Sequence, residues 1–543
     1  MNSLDPRSGD AIPWLSYRSL LLGTLQITLI IFTLVQCVIA PDPENLICVG
    51  LVAITSSLVF QYLWHSDSMT SSPLSSLGLL GFTCSSQFLA LASQSVDLEA
   101  FTENLRAPGL TFSVLAVAHL SAVFTHFVYR NFTPLSGASN FIAEKVYGPL
   151  RIHRIPMPIT LWALGSIGML GMFAGGGASG DVGGKLMAGL TFLVWLPFML
   201  PLYQDLTGQR YCNMKTQIPL IAAWAALIVL LAVARNHRGV MFIGPLQLTL
   251  VFLIYKCQGK QLVRKRLIKR GILAMAFLIA CLPVLSDLML AMQITREQRD
   301  KVSATELVKE TAETFFDTAR LASAKENMRH SLNLNLYDEV YLSNMMLGRL
   351  TETKFHDNML FFGQGFREED KVGLIEAQWL KVIALLPQNA LDALHIDLDK
   401  QTLSYSTGDY YLNRTVGAPL GAFVTGSMWA DLYVISGPWM PVVVFWVLIP
   451  IFITQDSLTR LRCGQFISPI ALGTAYTIFQ YGIGGDSISK KIAQITRDNL
   501  QNVLVYALVL AVVTFILKLF HREALWAPPP EPGLDKHCSL RTN

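Results

Sequence analysis

Two arginines three residues apart, Arg235 and Arg238, stand in the turn ARNHRG between two long apolar runs. On a helical turn residues at that spacing face one way. A guanidinium donates two parallel hydrogen bonds to a phosphate, so the pair suits a phosphate or pyrophosphate headgroup; snorkelling to lipid headgroups is the other use of such a pair. A second cluster is GDYYLNR, where Asp409, Tyr410, Tyr411 and Arg414 bring a carboxylate, aromatic faces and a guanidinium within two turns. Sugars offer C–H faces and hydroxyl edges to that chemistry, while a tyrosine-rich interfacial belt would use the same residues. A third is MWADLYVISG, in which Asp431 and Tyr433 sit among apolar residues. Asp431 there is either a general base for a hydroxyl or the partner of a nearby arginine. The fourth is scattered: Arg329, His330, Arg349, His356 and Asp357. Histidine carries protons near neutral pH, and Arg349 in MMLGRLTE suits a second phosphate clamp.

Other chemistries lack their residues. None of the eight cysteines lies between 293 and 437, and there is no CxxC or Cys/His cluster at zinc-ligand spacing. The glycine-rich AGGGASGDVGG lacks the GK[ST] ending of a nucleotide loop and reads as a turn between spans. HExxH and GxSxG are absent. No metal or cofactor is expected, and no nucleic-acid partner.

The elements that hold these residues are set by hydropathy. Of 543 residues 52% are hydrophobic and 15% charged, against about 25% charged in soluble domains. A span needs about 20 mostly apolar residues to cross roughly 30 Å of hydrocarbon. Such runs fall at 19–40, 46–64, 74–93, 107–129, 157–175, 183–203, 216–234, 239–256, 271–292, 438–455, 466–484 and 501–520. The fold expected is an all-α polytopic membrane protein with about twelve spans. The first run lacks a small-residue cleavage site and reads as a span, not a signal peptide.

Basic residues set the sidedness. The link after the eighth run holds Lys256, Lys260, Arg264, Lys265, Arg266, Lys269 and Arg270 with no acid, and Arg130–Arg154 has the same parity. Both are expected on the cytoplasmic side, with both termini, where the link's charge anchors to acidic lipids. Arg235 and Arg238 then lie outside, with a large loop. This assignment leaves Lys490, Lys491 and Arg497 on the outer side, against the rule. The expected units are a nine-span bundle at 1–292, a mostly helical loop at 293–437, C-terminal spans at 438–520 and a disordered cytoplasmic tail at 521–543. Residues 418–436 are apolar enough to span, but a span there would invert the C-terminal charges. They are expected to form a re-entrant or surface-lying helix, with Asp431 in a protein-lined cavity.

The ARNHRG turn, the large loop in the C-terminal third with Pro387 late in it, and DLYVISGPWMPVVVFW before a span resemble Wzy-type O-antigen and exopolysaccharide polymerases. The chain departs from that pattern by His237 between the arginines. It also lacks the His-Asn pair of the related O-antigen ligases, Leu412–Asn413 standing nearest. The resemblance implies a GT-C-like glycosyltransferase of the bacterial inner membrane, with its loop in the periplasm. It would transfer a growing glycan from polyprenyl pyrophosphate to the next lipid-linked repeat unit. Arginines would replace a divalent ion, with Arg235, Arg238, Arg349, Arg414, Tyr411 and Tyr433 binding and Asp409, Asp431 or His356 taking the acceptor proton. Implied partners are the polyprenyl-pyrophosphate-linked oligosaccharide, membrane lipids, a chain-length regulator and a flippase. An O-antigen ligase is an alternative, as are a lipid-linked sugar transporter and a non-enzymatic assembly subunit. The single long loop and the missing repeat weigh against transport.

In cells lacking the native gene, Arg238→Ala and Arg238→Lys are expected to leave the surface glycan at one repeat unit while membrane protein levels hold. A full-length ladder on a gel from both variants would take the arginine pair out of the site.

Overall fold

In the computed structural model, seven helices among the described residues are long and apolar enough to cross a membrane. They are α1 (Tyr17–Ile39), α2 (Pro43–His65), α3 (Pro73–Asp97), α4 (Pro108–Asn131), α7 (Met214–Ala234), α17 (Met428–Ser457) and α19 (Ile488–Leu519). Further helices with apolar stretches stand between them: α5 (Pro158–Ala174), α6 (Thr191–Leu202, wound as a 3-10 helix around Pro197 and Pro201), α8 (Val240–Cys257), α9 (Lys265–Ile294) and α18 (Pro469–Tyr481). The structure describes residues 11–174, 187, 189–207, 213–236, 239–257, 262–298, 302–330, 337–459 and 468–520. His237, Arg238, most of the glycine-rich turn and the tail at 521–543 lie outside them, as do the side chains of Arg329 and His330. Among the described residues a two-stranded antiparallel ribbon, β1 (Ala11–Ser16) with β2 (Leu262–Arg264), is the non-helical element.

Burial sorts the helices. The apolar stretch of α3 is 94% buried, against 17% for α1 and α7. Ile27, Leu34, Ile54 and Leu508 are exposed on the outer faces of α1, α2 and α19, the arrangement that suits lipid as solvent. Helix α3 is the axis, and it is rich in Ser, Thr, Gln and Gly because its neighbours are helices, not lipid. Its N-terminus is capped by Asp456 of α17, which accepts from Leu74 N at 3.2 Å, Ser75 N at 3.1 Å, Ser75 Oγ at 2.6 Å and the Tyr129 hydroxyl at 3.1 Å. Four donors and a helix N-terminus satisfy the oxygens of that buried side chain. His126 extends the network, its Nε2 meeting Ser75 Oγ at 2.9 Å and its Nδ1 the Tyr62 hydroxyl at 2.8 Å.

Midway, α3 makes a π turn at Cys84–Phe88, with Leu89 N donating to Cys84 O. The wider turn leaves carbonyls without their α-helical donors. Ser85 O accepts Glu352 N at 2.9 Å and Ser86 O accepts Thr353 Oγ1 at 2.8 Å. The hydrophilic segment after α9 is thereby joined to the bundle. It carries α10 (Ala304–Phe316), α11 (Thr318–His330), α12 (Met345–Leu350), α13 (Thr353–Gly363), α14 (Glu368–Ile383), α15 (Gln388–Ala393) and α16 (Thr407–Val416). Asp357 of α13 caps α4, accepting from Arg106 N and Ala107 N at 2.8 Å each. Tyr341 donates to Phe101 O at 2.8 Å.

The structure differs from the sequence reading at 418–436. Residues 418–427 are not helical. The helix starts at Met428, where Ser427 Oγ accepts from Ala430 N at 3.1 Å. It bends at Gly437, whose φ of 51° favours glycine, and continues as the same apolar element to Ser457. The apolar side chains of 418–436 thus belong partly to a docked coil and partly to the first turns of a kinked helix, not to a separate re-entrant one.

Gly81 makes the α3–α18 crossing possible. A Cβ there would lie 1.9 Å from Phe479 O. Gly81→Ala is therefore expected to cost at least about 1–3 kcal/mol and to lower thermal stability and monodisperse yield in detergent. Gly137→Ala, with nothing within 4 Å of the added carbon, should behave as wild type in the same measurements.

Candidate functional site

Where the hydrophilic segment meets α6, α18 and α19 there is a cavity of about 680 Å³. One wall is Thr191, Phe192 and Trp195 of α6 and Thr474, Thr477 and Ile478 of α18. Another carries Arg349, Glu352, Phe355 and His356 from α12 and α13. Asp486 of the α18–α19 connection and Lys490, Lys491 and Gln494 of α19 close it. Main-chain bonds hold the walls: besides the π-turn joint, Met428 N donates to Gly485 O at 2.8 Å.

Glu352 is the chemically distinctive group. It is 7% exposed, at the start of α13. Burial, then the charge of Asp486, push its pKa up to about 8, against the opposing pull of Lys491, Gln480 and Lys490. Lys491 is 3% exposed; its ammonium donates to Tyr481 O and to Gln494 Oε1, the latter at 2.8 Å. Lys490 pairs with Asp486. Arg349, at the end of α12, is half-buried and reaches Glu339 Oε2 at 3.5 Å. His356 is buried, and its Nδ1 lies 2.9 Å from Ser427 Oγ. That hydroxyl also accepts from Ala430 N, and with a second lone pair and a proton of its own it can pair with either tautomer of the ring. Burial, then His119, push the His356 pKa down to about 3. The ring is neutral, and its Nε2 has no partner among the described residues.

The residues singled out by sequence thus separate. Arg349 and His356 meet at the cavity. Asp431 and Tyr411 meet elsewhere, in a closed pocket where Asp431 Oδ2 accepts from Gln378 Nε2 at 2.7 Å and Ile488 N at 3.4 Å and the Tyr411 hydroxyl interacts with the same carboxyl. Gln378 also accepts from Ser489 N at 2.9 Å, so this pocket ties α14, α17 and α19 together. Asp409 is a structural anchor. Its Oδ2 accepts from Ser406 N, Gly421 N and Phe423 N at 3.0, 3.2 and 3.0 Å, and its Oδ1 from Val424 N at 2.9 Å. Burial raises its pKa, but these N–H groups outweigh burial and hold it below the usual range. Arg414 stacks over Tyr410 at 5.2 Å and lies 3.9 Å from Asp370. Tyr433 is 36% exposed on α17. Arg235 ends α7 and donates to Phe173 O; Arg238 is outside the described residues. None of Asp409, Asp431, Tyr411, Tyr433, Arg235 and Arg414 is among the residues lining the cavity.

Sequence reasoning missed Glu352. The pattern Arg349-x-x-Glu352-x-x-x-His356 carries its signal, at spacings that keep side chains on one side of a helical path. The misplaced Lys490 and Lys491 were a second one. Fold and site together define a helical membrane protein with a charged, partly buried cavity at one end of its bundle. Comparison with known proteins adds no relative: no family model, no curated protein and no solved structure matches the chain.

Asp409→Asn is expected to destabilise the 417–427 coil by about 1.5–3 kcal/mol, as for hydrogen bonds to a charged group, read as faster proteolysis there. Because the folded pKa is depressed, this stabilisation is present above the unfolded value near pH 4. It is lost as pH falls through the folded value. Wild type should show that acid-dependent loss of protection and the Asn variant should not.

Proposed function

We propose that this chain is a membrane-embedded glycosyltransferase that polymerises polyprenyl-pyrophosphate-linked oligosaccharide units. The observation that carries the reading is the cavity itself: it joins apolar helices to a buried carboxyl, a neutral imidazole and cations. A lipid-linked glycan needs all of these, an apolar route for its tail and polar groups for its head. In this reading α5, α6, α8, α9 and α18 complete a dozen spans with the seven long helices. Contacts at both ends fit antiparallel neighbours: Arg18 of α1 bonds Ser66 O at 3.2 Å beside the end of α2, and Gln36, near α1's other end, bonds Glu99 O at 2.9 Å beyond α3. The cavity and the helices 304–416 face the outer side, and the termini face the cytoplasm.

The reaction breaks the bond between the anomeric carbon and the pyrophosphate oxygen, and the oxygen leaves with the electron pair. An acceptor hydroxyl supplies the new bond and gives up its proton. Glu352 is the base in this scheme: a carboxyl with a pKa of about 8 binds that proton far better than an ordinary glutamate. Arg349 and Lys490 supply positive charge for the leaving pyrophosphate, which must be stabilised in the transition state. The His356 Nε2 hydrogen-bonds a ligand hydroxyl. Arg235 and Arg238 serve, in this reading, the carrier headgroup at the bundle surface.

Turnover in reconstituted membranes should rise as pH increases towards about 8, where Glu352 loses its proton. Glu352→Gln should lower it at least about a hundredfold, with the thermal transition kept. Full turnover by the Gln variant would sink the assignment of the base. A cell in which the variant's unpolymerised lipid-linked unit stays on the inner leaflet would instead indicate transport.

A further inference from the structure

The cavity's cations are nearly matched by its acids. Arg349, Lys490 and Lys491 line it with Asp486 and Asp498, and Glu352 stands among them as a carboxyl that keeps its proton up to about pH 8. Lys490 is paired within the cavity wall and Arg349 is paired with Glu339 behind it. A chamber built for pyrophosphate alone would hold an excess of cations. Beside these charges the wall of α18 and α19 carries a run of neutral polar groups. Thr474, Thr477 and Gln480 recur every three residues on α18, and Gln494 and Asn502 stand eight apart on α19, with Asn499 between. Helix α18 and the turns of α19 after Asn502 are otherwise mostly apolar, and polar side chains turned from lipid into a cavity mark a ligand path. Gln480 and His356 are each 2% exposed. Gln480 Oε1 and His356 Nε2 have no hydrogen-bond partner among the described residues, which is costly unless a ligand meets them. Across the space stand the flat faces of Phe192 and Trp195. Amides, hydroxyls and aromatic faces without net charge are the complement of a neutral polyhydroxyl compound.

We propose that the α18–α19 wall is a glycan subsite, which takes the sugar hydroxyls of the lipid-linked unit while the pyrophosphate stays at Arg349. This rests on the glycosyltransferase reading and adds to it the part of the substrate that the cavity grips. Two donors, or a donor and an acceptor, at neutral sites give about a tenfold preference.

The test uses the full chain in lipid nanodiscs with two probes. One is polyprenyl pyrophosphate alone; the other is the same carrier bearing one repeat unit, extracted from cells lacking the enzyme. Wild type is expected to bind the glycan-bearing carrier about tenfold tighter. Thr477→Val, an isosteric change at an exposed position, and Asn502→Leu should each remove most of that preference and leave the bare carrier's affinity unchanged. Arg349→Ala should weaken the bare carrier. Equal wild-type affinity for the two probes overturns the subsite, as does an equal loss for both probes in the Val and Leu variants, or no loss for either. If wild type binds neither probe, the glycosyltransferase reading falls and takes the subsite with it.

Discussion

The two hydrogen bonds from Glu352 N and Thr353 Oγ1 to the carbonyls of Ser85 and Ser86 are what the rest of the molecule depends on. They exist because α3 widens by one π turn in its buried middle, where no water could satisfy the released carbonyls. The same joint sets the buried position of Glu352, and so its raised pKa. A helix packed on all sides by other helices can present main-chain acceptors to a partner; a lipid-facing helix cannot. The near-complete burial of α3 and the chemistry of the cavity are in that sense one fact.

Hydropathy made the bundle legible. The runs at 19–40, 46–64 and 107–129 match α1, α2 and α4 to within a few residues, because a long apolar segment has few other stable states. Within the loop expected to be mostly helical, the described part of NLYDEVYLSNMMLGRL is helical only over Met345–Leu350: Tyr341 and Leu342 are buried on a non-helical path, and burial alone does not specify helix. The same ambiguity misled the reading of 418–436. Apolar content there reflects a coil wrapped over Asp409 and the start of α17, and only the four N–H groups converging on one carboxylate reveal it.

Site residues were less legible, since the cavity is made by neighbours far apart in sequence. Arg349 and His356 were found from their residue types. Glu352 was passed over because a glutamate in a hydrophilic stretch is ordinarily solvated, and its burial comes from α3, some 270 positions earlier. Asp431 was recognised as a buried acid, but a nearby glutamine, not an arginine, partners it. Asp409 has the composition of a sugar site and the bonding of a turn.

Helix α17 is fastened twice. Asp456 pins its far end to the start of α3, and Asp431 pins its near end, through Gln378, to α14 and α19. Helix α3 in turn holds the cavity's acidic wall through Ser85 and Ser86. These members form a closed linkage, a frame of struts each fixed at two joints. Such a frame resists widening as a whole. Helix α6 faces the same cavity and is held in another way, by close packing on Gly165 and Gly168 of α5.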